Sequence, residues 1–279
     1  MSRPLVEFIH APDMPWDDTP LSPARADVAH KLLSLDGDTG ASSLLVKYPA
    51  GWQRTAPESL AAEEEIFVLE GTLTLDGEDF GPGDYTCLPK GYPRQSAVSA
   101  DGAVALTFFS AKPVALKNAS SNDDRAHVPR QSLYGDGWDA DYAGVNSPEI
   151  AGSGSRKKLL RTDPVTGDQT WLMGVIPSYR EKRVESHPVV QECYMVWGEM
   201  SGNTGLLVTG SYFWRPPEIL HGPYGSKTGA IILSRTEGGS LTVDYYDLDE
   251  PFRHDPPHRV MVGEEVAVYA QPKRPAARY

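Results

Sequence analysis

The chain repeats itself. Lys31-Leu32-Leu33 recurs as Lys158-Leu159-Leu160, Thr39-Gly40 as Thr166-Gly167, Gly71 as Gly198, Gly83 as Gly210, Pro89 as Pro216 and Gly102-Ala103 as Gly229-Ala230. Every pair lies 127 positions apart, as Gly198 does from Gly71. A constant offset without a gap from Lys31 to Ala103, carried mostly by turn-forming glycine and proline, is the signature of a duplicated domain. The halves can therefore be compared position by position. The repeat divides the 279 residues into an extension over 1–30, a first copy over 31–115, a linker over 116–157, a second copy over 158–250 and a tail over 251–279.

Each copy reads as short strands between turns. In the first, Ser43 to Tyr48, Ile66 to Leu69, Thr72 to Leu75, Tyr85 to Leu88 and Val104 to Phe109 are rich in β-branched, aromatic and aliphatic residues. Gly71, Asp76-Gly77, Gly81-Pro82-Gly83 and Lys90-Gly91 separate them. In the second, the strands are Trp171 to Ile176, Cys193 to Trp197, Gly205 to Val208, Tyr212 to Trp214, Ala230 to Ser234 and Leu241 to Tyr246. With 26 Gly and 24 Pro the chain is punctuated too often for a helical bundle, so the expectation is all-β, an antiparallel sandwich or barrel in each half.

Charge and cysteine content narrow the setting. A net charge of −12 gives no field for phosphate backbones or anionic lipid, so neither nucleic acid nor membrane is an expected partner. Cys87 and Cys193 each sit in an apolar run, and the acidic, proline-rich first twenty residues lack a signal-peptide core. A cytoplasmic protein is expected. Residues 112 to 157 read as loop, with a polar stretch from Asn118 to Asp124 and a flexible Gly152-Ser153-Gly154-Ser155. Asp136, Asp139 and Asp141 lack EF-hand spacing and are read as a solvated acidic loop. Pro256 and Pro257 between His254 and His258 forbid a helical metal pair there, although this tail could add a cap or strand.

The stretch Glu64-Glu65-Ile66-Phe67-Val68-Leu69-Glu70-Gly71, followed by Gly83, Pro89-Lys90-Gly91 and Arg94, resembles the two motifs of the cupin superfamily. His187 through Gly198, then Gly210 to Pro217 and His221-Gly222-Pro223, resembles them again. The resemblance implies a bicupin, two tandem jelly-roll (RmlC-like) barrels, and the second copy is most similar to bacterial ChrR-like cupins. Cupins hold a metal with an H-x-H pair, a glutamate four residues further on and one more histidine. In the first copy those places fall on Glu58, Leu60, Glu64 and Arg94, a set without an imidazole and thus a poor transition-metal site. In the second they fall on Glu185, His187, Gln191 and His221.

Glu185 and His187, two apart on a strand, share a face. Two imidazoles and a carboxylate have the composition of the facial triad of non-haem iron(II) oxygenases, with Gln191 as a further oxygen donor or a supporting partner. Glu192 is an alternative carboxylate ligand, reachable through a bulge although its parity is opposite. The residues also admit a buried, hydrogen-bonded histidine pair in a metal-free pocket. Cys193 and Trp214 are candidate lining residues of that cavity, and Arg94 a candidate carboxylate binder in the first copy, perched against Glu64.

Three functions stay open at this stage. The first is an iron(II) dioxygenase acting on a diketone, enol or phenol. The second is a lyase, isomerase or hydrolase using zinc, manganese or nickel. The third is a non-catalytic ChrR-like binding module, although no appended helical segment of that kind is recognisable. A small-molecule substrate and a homodimer paired through sheet edges are the expected partners.

Overall fold

The computed structural model describes residues 3–21, 25, 27–116, 127–139 and 154–249, together with the backbone of 261–262. Asn118 to Asp124, Gly152, Ser153, Asp141, His254 and His258 lie outside the described residues. Among the described residues the architecture is all-β: apart from one short 3₁₀ turn at Ala11–Asp13, the named elements are strands, and those that pair do so antiparallel. No helix among the described residues is long and apolar enough to cross a membrane. The residues fall into two compact units, one drawn from Met1–Pro4 and Met14–Gly135, the other from Leu5–Asp13 and Asp136–Pro275.

In the first unit a six-stranded sheet runs in the order Val128–Ser132, Asp84–Leu88, Glu64–Gly71, Ala103–Phe109, Ser42–Tyr48, Ala29–Leu35. A second sheet orders Trp52–Arg54, Ala97–Ser99, Leu73–Leu75 and Glu78–Phe80. Alternating residues of both, among them Val46, Ile66, Val68 and Ala105 from one and Leu73, Phe80 and Ala97 from the other, meet in one core. In the second unit Val190–Gly202 is the central strand, flanked by Ser211–Arg215 and Ala230–Glu237. Its core draws on Cys193, Met195, Phe213 and Ile232.

The 127-residue offset extends to hydrogen-bond register. Glu64 pairs with Leu88 and Phe67 with Tyr85; the counterparts Gln191 and Tyr194 pair with Arg215 and Tyr212. The register slips between Val68 and Glu70 in one unit and between Met195 and Trp197 in the other, which is the same bulge. Glycine recurs just beyond it for a steric reason. Gly71 and Gly198 both have positive φ, and a Cβ there would lie 2.0 and 2.2 Å from the carbonyl oxygens of Gly102 and Gly229.

Two elements depart from the sequence-based expectation. Val6–His10, within the proline-rich extension, is a strand of the second unit that covers the edge of Ser211–Arg215, burying Val6 and Phe8. The backbone of Met261–Val262 pairs on its other side. Val128–Ser132, in the stretch read as loop, pairs with Asp84–Leu88. Both are short segments whose stability comes from the sheet edge they complete rather than from local pattern.

Candidate metal centre

Three side chains converge inside the second unit. Glu185 lies on the short strand Val184–Ser186, His187 follows it, and His221 comes from the segment after Ser211–Arg215. The backbones of Glu185 and His221 exchange two hydrogen bonds, N–H to O, of 2.8 and 2.9 Å, which fixes the carboxylate and imidazole side by side. His187 Nε2 lies 3.7 Å and His221 Nε2 3.3 Å from Glu185 Oε1, and the imidazole centroids are 4.9 Å apart. The three ligand atoms all lie within 4.8 Å of one another. Exposure is 7% for Glu185, 3% for His187 and 1% for His221.

The hydrogen bonds behind the rings decide what they present. His187 Nδ1 donates to the Thr242 carbonyl at 2.8 Å and His221 Nδ1 to the Ile219 carbonyl at 2.7 Å. A carbonyl only accepts, so each proton sits on Nδ1 and each Nε2 offers a lone pair. Both Nε2 atoms are buried without a hydrogen-bond partner. Burial holds His187 at about 4, hence neutral. Burial raises the Glu185 carboxyl, and with both Nε2 atoms unprotonated the positive charge that lowers it again has to come from the Arg215 guanidinium or from a bound cation. Two lone pairs and a carboxylate facing one another in a dry site repel unless a cation stands between them. The donor set fits a divalent metal.

The cavity in front of this cluster is lined by Glu181, Gln191, Cys193 and Met195, with Phe213 and Tyr224 among the aromatic walls. It leaves about 60 Å³ for the centres of water-sized molecules, several times what one water needs, so it suits a small ligand. Gln191 faces this cavity, its Oε1 accepting from Arg215 Nη1 at 3.4 Å. Arg215, 1% exposed, also donates to Tyr224 Oη at 2.6 Å and to Glu7 Oε1 at 2.8 Å.

Other sequence candidates fall elsewhere. Glu192 sits on the opposite face of Val190–Gly202: its Oε1 accepts from Tyr212 and its Oε2 pairs with Arg235. That places it away from the two histidines, as strict alternation requires where no bulge intervenes. Trp214 is fully buried opposite Glu192 in register and does not line the cavity; its neighbour Phe213, paired with Cys193, does. Cys193 contacts Ser234 Oγ at 3.3 Å, and burial pushes its thiol up to about 12, which keeps it protonated and unreactive.

Glu181 was not picked out by sequence. It lines the cavity, accepting from Tyr179 Oη at 2.6 Å and from the Tyr224 amide at 2.8 Å. Burial, and then the charge of Glu185, push its carboxyl up to about 8. Its only sequence signal is the offset itself, which sets it opposite Arg54.

In the first unit the equivalent backbone frame is intact: Glu58 and Arg94 exchange two 2.9 Å hydrogen bonds as Glu185 and His221 do. The side chains form a buried ion cluster. Arg25 grips Glu64 through contacts of 2.6 and 2.9 Å, Arg94 reaches it at 3.2 Å, and Arg54 lies 3.4 Å from Glu58.

Fold and site together define a cupin-fold protein with a candidate His/Glu metal centre. The chain belongs to the family described as a domain of unknown function, DUF4437, whose model matches residues 7–243. No curated protein sequence matches it. Among solved structures it is similar to a putative dioxygenase from Nostoc punctiforme (TM-score 0.74, 19% identity, 88% of this chain and 87% of that one). It is also similar to the coconut allergen cocosin (0.55, 11%, 86% and 87%) and to oxalate decarboxylase from Bacillus subtilis (0.50, 14%, 86% and 78%). At these identities the likeness speaks for the fold.

Proposed function

We propose that the chain is a bicupin of two tandem jelly-roll barrels whose second barrel is a non-haem iron(II) dioxygenase for a small oxygenated organic substrate, a diketone, enol or phenol. The observation that carries this reading is the pair of orphaned, lone-pair-bearing Nε2 atoms turned onto the Glu185 carboxylate. Two neutral imidazoles and one carboxylate form the set that suits iron(II) while leaving positions open. Iron(II) would supply redox chemistry toward O₂ and Lewis acidity toward adjacent substrate oxygens. Gln191 stands ready as a further oxygen donor or as a support for the set.

The chain's own residues do the rest. Met195, Phe213 and the other apolar walls exclude bulk water from the reacting atoms. Glu181, whose carboxyl burial and the charge of Glu185 push up to about 8, holds a proton at the cavity wall. Arg215 places a fixed positive charge behind Gln191. A reducing cytoplasm, where the buried free thiols of Cys87 and Cys193 survive, and a homodimer complete the reading.

The test is metal analysis of protein purified without oxygen, followed by oxygen uptake with diketones and catechols. Stoichiometric iron, lost in H187A and H221A, together with substrate-dependent uptake supports the proposal. Zinc, manganese or nickel in place of iron would point instead to a redox-silent lyase, isomerase or hydrolase. Iron-loaded protein with uptake at background across the panel would sink the oxygenase reading in favour of a ChrR-like binding module.

A further inference from the structure

We propose that the first unit binds a small organic monocarboxylate in the cavity headed by Arg94. The lining of this cavity brings Arg25, Arg54 and Arg94 together with apolar groups, among them Ile66, Phe80 and Leu88. It leaves about 120 Å³ for the centres of water-sized molecules, against 60 Å³ in the metal-side cavity of the second unit.

Charge is unbalanced at its head. Three guanidinium groups face two carboxylates, Glu58 and Glu64. Glu64 is committed mainly to Arg25, which takes both of its oxygens at 2.6 and 2.9 Å. Arg94, 3% exposed, is left with an ion contact of 3.2 Å, and neither its Nε nor its Nη1 has a hydrogen-bond partner. The acidic groups further along the wall are engaged elsewhere. Asp76 Oδ1 accepts from the amides of Gln95 and Ser96 at 2.7 and 2.8 Å, and Glu78 pairs with Arg130 at 3.4 Å.

A buried guanidinium with unpartnered donors is costly unless an anion completes it. Burial, with Arg25 and Arg54 as like-charged neighbours, pushes the Arg94 guanidinium below its usual range against the pull of Glu64 and Glu58. A carboxylate matches the paired donors of a guanidinium fork and supplies the acceptor that Arg94 lacks. The apolar walls select an anion with a hydrocarbon body over chloride or phosphate, whose hydration shells they cannot replace. The occupant is therefore a short-chain or aromatic monocarboxylate.

Titration calorimetry of the full chain with butyrate and benzoate at constant ionic strength tests this, with sodium chloride and inorganic phosphate as comparison ligands. One-to-one saturable binding of at least one acid is expected, weakened about tenfold or more in R94M, the loss of one charge-assisted hydrogen bond. In H187A it should be unchanged. Absence of saturable binding by both acids, equal binding of chloride or phosphate, full retention in R94M or loss in H187A would each overturn the assignment. Should R94M not fold, A97L fills the cavity from a lining position without touching the charges. Binding should then vanish, and its survival would refute the site.

Discussion

The two units place the same backbone around opposite chemistry. Glu58 and Glu185 occupy equivalent bridges, but Leu60 stands for His187, Glu64 for Gln191, Arg94 for His221 and Arg54 for Glu181. In the first unit carboxylates and guanidinium groups neutralise one another at contacts of 2.6 to 3.8 Å. In the second, two imidazoles and two carboxyl groups meet, and the nearby guanidinium of Arg215 is already shared with Glu7 and Tyr224. The shared backbone frame fixes where side chains converge; which ion the interior then needs is set by four or five residues. One interior is neutralised largely by its own side chains, the other is open to a cation.

The largest test of that contrast is metal content. E185Q, H187A and H221A should each lower metal affinity by two orders of magnitude or more, beyond the roughly 10- to 100-fold loss expected even for outer partners of a ligand. E64Q should leave metal content at the wild-type level, read by elemental analysis after dialysis. The double variant L60H/R94H restores both imidazoles to the first frame, yet Arg25 and Arg54 remain within it, so it should bind no metal. Metal bound there would show that the ligands alone, and not the surrounding charge, separate the units.

Next in size is the ion cluster itself. E64Q gives the first unit the amide that the second carries at Gln191, but leaves Arg25 and Arg94 buried without their shared carboxylate. A loss of about 3–5 kcal/mol in urea unfolding is expected. A loss below about 1 kcal/mol would mean that the guanidinium groups find water or another anion.

The units should also lose stability at opposite ends of the pH scale. Glu64 is fully buried, and although burial alone would raise its carboxyl, Arg25 and Arg94 hold it below its ordinary value. Its contribution is present above pH 4.5, the unfolded value, and is lost as pH falls through the lower folded one. Glu181 is raised from 4.5 to about 8, so its contribution is full below 4.5 and is lost as pH rises toward 8. In metal-free protein, raising the pH from 6 to 7.5 should cost the second unit about 2 kcal/mol through this group, each pH unit being worth about 1.4. E181Q should abolish that slope. Hydrogen exchange resolved by peptide reads the two units separately, and a slope unchanged in E181Q would remove Glu181 as its source.

Much of this contrast was legible in the residues because a gapless repeat transfers positions without a structure. The resemblance to cupins set Glu185, His187, Gln191 and His221 around one interior, and the repeat carried those places to the first copy, with Arg94 near Glu64. What escaped came from distant chain. Glu7 reaches Arg215 from a strand more than two hundred residues away, and Arg25 reaches Glu64 from the extension. Nothing within a local window marks either, since each matters only once a sheet edge is covered. Trp214 and Phe213 show a second limit: an uninterrupted aromatic run has no alternation of its own, and only the register against Glu192 and Cys193 says which ring faces the cavity.

The smallest expected effect probes what the units share. On the face away from each interior, Tyr85 Oη donates to Glu65 at 2.6 Å and Tyr212 donates to Glu192, the same pair carried by the offset. Both carboxylates are 1% exposed. Y85F and Y212F each remove one hydrogen bond to a buried charge and should cost about 1.5–3 kcal/mol, equal within about 0.5 kcal/mol. Arg235 is the reason to look for inequality: it pairs with Glu192, whereas the first copy has Phe108 in its place. A difference larger than that margin should vanish in the R235F background, which gives the second copy the residue of the first. A difference that survives R235F would place the divergence between the copies elsewhere than at position 235, on the face away from the two interiors.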